Sequence, residues 1–336
     1  MNTPKLNPEQ AAAVKHIDGP MIVLAGPGTG KTQIIAARIA HLLDSTQMDP
    51  HNILCLTFTE SGVVAMRKRL IEMIGTAAYY VRINTFHSFC NDVIKDFPEK
   101  FLSTRELESL TDLERIQIFR KILDNLPSDS PLSPFGSPYF YLKDCTYAVQ
   151  NLKRENISPE NFHNFVNKIE AFLEEHGQVL EQFSQIHGNQ LKEEHFTALA
   201  DRFEGTILSS YFRGIHELDK KGRTKQKNEI KAAYLKIKNS VGKQQALSQV
   251  YKKYQSELSS RGRYDYEDMI LFVVDAFKHN EELLAHYQEQ FQYILVDEYQ
   301  DTNGAQNEVV RLIAEYFENP NIFVVGDDKQ SIYRFQ

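Results

Sequence analysis

The chain has 336 residues, 42% of them hydrophobic and 25% charged, a balance that suits a globular protein of about two domains. No apolar run approaches the ~20 residues of a membrane span, and the opening MNTPKLNPEQ lacks the apolar core of a signal peptide, so the expected location is cytoplasmic. The net charge of -7 argues superficially against a polyanionic partner, but 14 Lys/Arg against four acids between Arg213 and Arg263 give that stretch +10 and leave -17 elsewhere.

In chain order, the first predicted strand is the apolar run Met21 to Ala25. It leads directly into Ala25-Gly26-Pro27-Gly28-Thr29-Gly30-Lys31-Thr32 and a helix from Lys31 to Leu43. Two more buried strands are expected at Ile53 to Thr57 and Val81 to Asn84. Apolar residues at three- and four-residue spacing then predict helices at Glu106 to Leu126, Glu160 to Glu175, Glu193 to Leu218 and Lys225 to Leu258. The Pro/Ser/Gly-rich Leu126 to Pro138 breaks the series as a loop. Strands resume at Tyr293 to Val296 and Ile322 to Val325. Alternating strands and helices predict an α/β fold with a parallel sheet. Three strands before residue 90 and two after residue 290 require a large helical insertion between them. The expected division is a discontinuous lobe, 1-95 plus 266-336, with 96-265 inserted. Cys55, Cys90 and Cys145 form no C-x-x-C pair and read as buried thiols, and the eleven histidines show no metal-ligand spacing.

Strand before, Lys-Thr after and helix beyond is the setting a phosphate-binding loop requires. Its glycines let backbone N–H groups converge on phosphate oxygens, and the helix N-terminus adds a favourable dipole. Lys31 is expected to reach the β- and γ-phosphates and the Thr32 hydroxyl to ligate Mg²⁺. The strand Tyr293 to Val296 ends in Asp297-Glu298. Asp297 is the candidate second Mg²⁺ ligand, and Glu298 the general base for the attacking water. A solvated acidic loop is the alternative for that pair. Gln330, just past the last strand, is a candidate γ-phosphate or lytic-water contact, with helix capping as its alternative. These readings require Lys31 and the Asp297/Glu298 pair to converge on one magnesium-triphosphate, from neighbouring strands of a single sheet.

Seven motifs occur in order: Leu6-Asn-Pro-Glu-Gln10, the phosphate loop, Leu56-Thr-Phe-Thr59, Thr85-Phe-His-Ser-Phe89, Tyr264-Asp-Tyr-Glu-Asp268, Asp297-Glu-Tyr-Gln-Asp-Thr-Asn303 and Gly326-Asp-Asp-Lys-Gln-Ser-Ile-Tyr-Arg-Phe335. In these the chain resembles the UvrD/Rep/PcrA group of superfamily 1 DNA helicases. The resemblance implies a RecA-like ATP-binding lobe in which Gln10 reads the adenine edge and Gln330 couples nucleotide state to DNA. It further implies single-stranded DNA bound across the top of the sheet by Thr57, Phe58, Thr59, Thr85, Phe86 and His87, with Tyr333 as a base-stacking platform. For each aromatic taken singly, Phe58, Phe86, Phe89 and Tyr333 alike, a core position is an equal alternative. Tyr264 to Asp268 is a landmark without an assigned chemistry.

The inserted segment matches no motif, and on charge alone its basic cluster reads equally as a solvated helix face; the resemblance, in which such an insertion lies beside the DNA, implies contact with DNA, including single-strand/duplex junctions. Departures from the family pattern are Gln33 and Gln336, where Arg is usual, and Glu60-Ser-Gly-Val63 in place of an Asn-Lys-Ala-Ala-like run. Within the 336 residues no second RecA-like lobe is recognised. In the family that lobe supplies arginines to the γ-phosphate, so the expectation for this chain alone is weak Mg-ATP binding, slow hydrolysis and no unwinding. The parent is expected to move 3′ to 5′. Three rival readings are a P-loop ATPase without a nucleic-acid role, a non-enzymatic interaction module that keeps nucleotide binding without turnover, and an RNA-directed helicase.

Overall fold

The computed structural model describes residues 6–101, 107–187, 190–203, 211 and 219–327. It forms two compact units: Met1–Thr111 with Gln150–Asn156 and Gly262–Gln336, and Asp112–Val149 with Ile157–Arg261. Gln330 and Tyr333 lie outside the described residues.

In the first unit, α1 (Pro8–Lys15) precedes β1 (Met21–Leu24) and α2 (Lys31–Thr46), then β2 (Ile53–Thr57), α3 (Glu60–Ile74), β3 (Arg82–Thr85) and α4 (Phe86–Asp96). A two-residue strand, β4 (Glu108–Ser109), follows. The second unit holds four helices, α5 (Asp112–Asp124), most of α6 (Leu142–Arg154), α7 (Pro159–Gln185) and α8 (Glu193–Arg202), and the 41-residue α9 (Lys220–Ser260). The chain returns to the first unit with β5 (Arg263–Tyr264), which pairs in parallel with β4, then α10 (Asp268–His279), α11 (Glu281–Gln290), β6 (Tyr293–Val296), α12 (Gly304–Ala314) and β7 (Ile322–Gly326).

The main sheet is parallel throughout, in the order β1-β7-β6-β2-β3. Side chains alternate across a strand, and that alternation sorts the core into two layers. Leu54, Leu56, Ile294 and Val296 pack with α4, α10, α11 and α12 on one face. Ile53, Cys55, Leu295 and Phe323 pack with α1, α2 and α3 on the other. Helices on both faces explain why β2 and β6 are buried at every position. The two edge strands alternate instead: β1 leaves Ile22 and Leu24 exposed, and β3 buries Ile83 and Thr85 between the half-buried Arg82 and Asn84.

Two sequence expectations are corrected. β7 lies between β1 and β6, so the strand leading into the phosphate loop and the strand carrying Asp297 are not neighbours. The backbone of β7 pairs with both, Val324 facing Ile22 on one side and Val296 on the other. The helix α6 was not expected after the Pro/Ser/Gly-rich loop, although Leu142, Cys145, Val149 and Leu152 have helical spacing. Among the described residues, no helix is long and apolar enough to cross a membrane.

Candidate functional site

The carboxyl ends of all five main-sheet strands share one edge, where ligands of such sheets bind. After β1 the chain turns through Gly28 (φ 72°) and Gly30 (φ 85°), left-handed conformations that favour glycine. Thr29 folds back to donate its hydroxyl to the Gly26 carbonyl at 2.7 Å. Gly30 begins α2 without a side-chain cap, so no side chain takes up its first N–H groups. Gln10 closes the loop from α1: its amide donates to the Thr29 carbonyl at 3.0 Å, while its carbonyl accepts from the Asn7 N–H in a capping box.

Lys31 and Glu298 meet across the end of β7. The Lys31 Nζ lies 2.8 Å from Glu298 Oε2, and the ammonium side chain is only 8% exposed. Beside them Thr32 Oγ1 donates to Asp297 Oδ2 at 3.3 Å, joining residues 265 positions apart. Glu298 adopts a left-handed backbone (φ 50°, ψ 46°), which costs a non-glycine residue free energy and turns the chain sharply at the end of β6. Its N–H donates to Asp297 Oδ1 at 3.0 Å. Burial, and then the neighbouring Glu298 charge, hold the Asp297 carboxyl above its ordinary range, against the Glu298 N–H, Thr32 and Lys31. Asp301 is raised for the same two leading reasons.

The sequence reading assigned no role to Gln300. Its Nε2 donates to Glu298 Oε2 at 2.8 Å and to Asp301 Oδ2 at 3.2 Å, and its Oε1 accepts from the Asp327 N–H at 3.0 Å. It thus ties the end of β6 to the end of β7. Gly326 makes the room, since a Cβ there would meet Gln300 Oε1 at 2.9 Å. The only sequence signal was a glutamine, able to donate and accept at once, two residues past the acidic pair.

Along the same sheet edge, Phe58 is 50% exposed, whereas Thr57 is buried. Thr59 and Thr85 act as N-caps, accepting from the N–H groups of Gly62 and Ser88. The Thr85 hydroxyl also donates to Glu60 Oε1 at 3.0 Å, so the acid that departs from the family pattern links two motifs. Phe86 and Phe89 are buried in the core with Cys90 and Val93, on one stripe of α4, so these rings take the core alternative. His87 turns the other way and stacks on Tyr266, centroids 3.6 Å apart and planes 15° from parallel. Burial pushes its imidazole down to about 4, opposed by a hydrogen bond to the Tyr266 backbone and aided by Arg154. Tyr266, 60% exposed, was missed; an aromatic flanked by acids was the available signal.

In the second unit, structural contacts engage several members of the basic cluster. Lys227 donates to the Ile186 carbonyl at 2.6 Å, Lys238 pairs with Glu181, Lys243 reaches the Tyr141 hydroxyl at 2.9 Å and Arg261 pairs with Glu257 at 3.0 Å. Lys231, Lys236, Lys252 and Lys253 are exposed. Arg213 lies outside the described residues.

The family model described as UvrD/REP helicase N-terminal domain matches residues 6–336. The chain is similar to the ATP-dependent DNA helicase PcrA of Staphylococcus aureus (strain Mu50), with 31% identity over 330 residues, 98% of this chain and 34% of that protein. The protein of the same name from Staphylococcus epidermidis (strain ATCC 12228) is 31% identical over 328 residues, with the same coverage. The chain therefore spans about a third of the length of these curated relatives.

Proposed function

We propose, on the premise that this chain belongs to the UvrD/REP helicase N-terminal domain family, that it binds and hydrolyses ATP as the first motor lobe of an ATP-dependent DNA helicase or translocase. The parent moves 3′ to 5′ along single-stranded DNA in the cytoplasm. The observation that carries this reading is the convergence of Lys31 with Glu298 and of Thr32 with Asp297 at one sheet edge.

The Thr32 hydroxyl and the Asp297 carboxylate are hard oxygen donors 3.3 Å apart, a donor set that fits Mg²⁺. The ion would neutralise charge on the β- and γ-phosphate oxygens. Lys31 binds the same phosphates, which compete with Glu298 for its ammonium. Once released, Glu298 accepts a proton from the attacking water while Gln300 holds the carboxylate in place. Gln10 offers its second amide N–H to the adenine edge, and Gln330 responds to the γ-phosphate.

Single-stranded DNA crosses the sheet edge over Phe58 and Tyr266 as stacking surfaces, with Thr59 and His87 lining the track and the buried Thr57, Thr85 and Phe86 supporting it from below; Tyr333 is assigned a further stacking role from the family resemblance alone. The exposed lysines of the helical insertion meet duplex or junction phosphates. A second motor lobe of the parent supplies arginines worth about 10³- to 10⁵-fold in turnover, so this chain alone turns over slowly.

Fluorescence anisotropy with matched DNA and RNA oligomers, beside a Mg-ATP titration, tests the reading. DNA-preferring binding together with ATP binding supports it. ATP binding without either nucleic acid favours the plain P-loop ATPase, and preference for RNA favours the RNA-directed helicase.

A further inference from the structure

Within the first unit, the Gln150–Asn156 segment makes a buried contact that the nucleotide chemistry does not use. Lys153, at the end of α6, is fully buried, with Nζ 2.6 Å from Asp265 Oδ2 and 2.9 Å from Asp268 Oδ1. Those two aspartates already brace one turn. The Asp265 N–H donates to Asp268 Oδ2 at 3.0 Å, and the Asp268 N–H donates to Asp265 Oδ1 at 3.1 Å. The next basic residue, Arg154, reaches Glu267 Oε1 at 3.2 Å. Residues 265, 267 and 268 are therefore gripped from α6, and Tyr266 between them is displayed against His87. Glu155 continues the contact: a Cβ on Gly304, at the start of α12, would meet the Glu155 Cα at 3.0 Å.

A buried ammonium between two carboxylates is a costly arrangement to keep unless its geometry is used, because an apolar side chain of similar volume often serves stability as well. The turn it braces has one exposed large side chain, Tyr266, and the ring of that residue sits face to face with His87. Glu60, next in the chain to the Leu56–Thr59 motif, is bonded to Thr85, and burial, then the charges of Glu267 and Glu60, hold the Tyr266 hydroxyl above its ordinary range. The turn, Glu60 and His87 thus form one surface whose alignment depends on a residue outside all seven motifs.

We propose that Lys153 is a positioning residue that, with Arg154, fixes the 265–268 turn so that Tyr266 and His87 present a single aromatic surface to the nucleic-acid strand. The part concerning the strand rests on the DNA reading above; the part concerning Tyr266 and His87 does not.

The test is Lys153→Met, which keeps side-chain length and removes the charge, made in the full 336-residue chain. Lys153→Met with Asp268→Asn, which also removes one of the facing carboxylates, serves where the single variant is too unstable to purify. Two quantities are read: His87 titration by NMR and the affinity for a fluorescein-labelled dT oligomer. With the turn released, the His87 imidazole titrates well above the wild-type value of about 4, towards the ordinary 6.5. Single-stranded DNA binding weakens roughly tenfold, the size expected for losing one stacking platform, while Mg-ATP affinity stays within about twofold. Lys153→Arg retains the charge and restores both readouts in part. A folded variant whose His87 titration and DNA affinity match the wild type overturns the proposal. Wild-type chain that binds no DNA overturns the DNA reading instead, and the His87 titration still decides whether Lys153 positions the pair.

Discussion

Replacing Gln300 by alanine removes the amide that joins the ends of β6 and β7. Two part-buried hydrogen bonds disappear, one to the Glu298 carboxylate at 2.8 Å and one from the Asp327 N–H at 3.0 Å; a third, to Asp301 at 3.2 Å, is solvent-exposed and adds little. A bond to a charged acceptor contributes about 1.5 kcal/mol at the lower end and a neutral one about 1 kcal/mol, so the loss is about 2 to 3 kcal/mol. For a unit of this size each kcal/mol moves the melting temperature by about 2 to 4 °C, which predicts a fall of roughly 5 to 10 °C. Thermal melting followed by circular dichroism measures it. Gln300→Glu is the sharper companion, because it sets a third carboxylate against Glu298 and Asp301. It should melt lower than Gln300→Ala and recover part of the difference in high salt, where exposed like charges are screened. A melting temperature within about 1 °C of wild type for both variants would refute the bridging role.

Gly304→Ala should destabilise by about 1 to 3 kcal/mol in urea unfolding, although alanine is the better helix former, because its Cβ meets the Glu155 backbone at 3.0 to 3.1 Å; a neutral or stabilising result contradicts that close approach. His87 titrates near 4 when folded and near 6.5 when unfolded, so between those values the unfolded chain binds the extra proton. Its contribution to stability is complete above about pH 6.5 and is lost as the pH falls towards 4. His87→Asn should flatten the fall in melting temperature over that window, and an unchanged slope contradicts the buried neutral imidazole. Phe58→Ala, at a half-exposed position, should weaken single-stranded DNA binding roughly tenfold with little change in melting temperature; a large loss of stability instead would place that ring in the core.

Much of this architecture was legible in the amino-acid order. The strand, glycine loop and Lys-Thr helix form one local unit, and the largely apolar runs of β2 and β6 are buried at every position because both faces are covered. Strand order is a different kind of information. Nothing local in Ile322–Gly326 states that it inserts between β1 and β6, because register and neighbours are decided by how helices pack on the two faces. The motif Thr85-Phe-His-Ser-Phe89 shows the same limit at the scale of side chains. Helical phase places Phe86 and Phe89 on the core stripe and His87 outside it, but which stripe is buried follows from the sheet beneath. The basic cluster was countable in sequence, yet the engagement of Lys227, Lys238 and Lys243 by Ile186, Glu181 and Tyr141, far away in the chain, was not. Gln300 and Lys153 were opaque for a related reason: their partners lie 27 and 112 positions away.

The most direct test of the account is Mg-ATP binding by Lys31→Met and Glu298→Gln, measured by calorimetry beside wild type. Lys31 is proposed to hold the phosphates, and Glu298 pairs with its ammonium at 2.8 Å. Lys31→Met should therefore bind far more weakly than wild type. Glu298→Gln, with the competing carboxylate neutralised, should bind at least as tightly while hydrolysing more slowly. Equal affinity in all three proteins, or loss of binding in Glu298→Gln alone, would contradict a shared nucleotide site at this sheet edge.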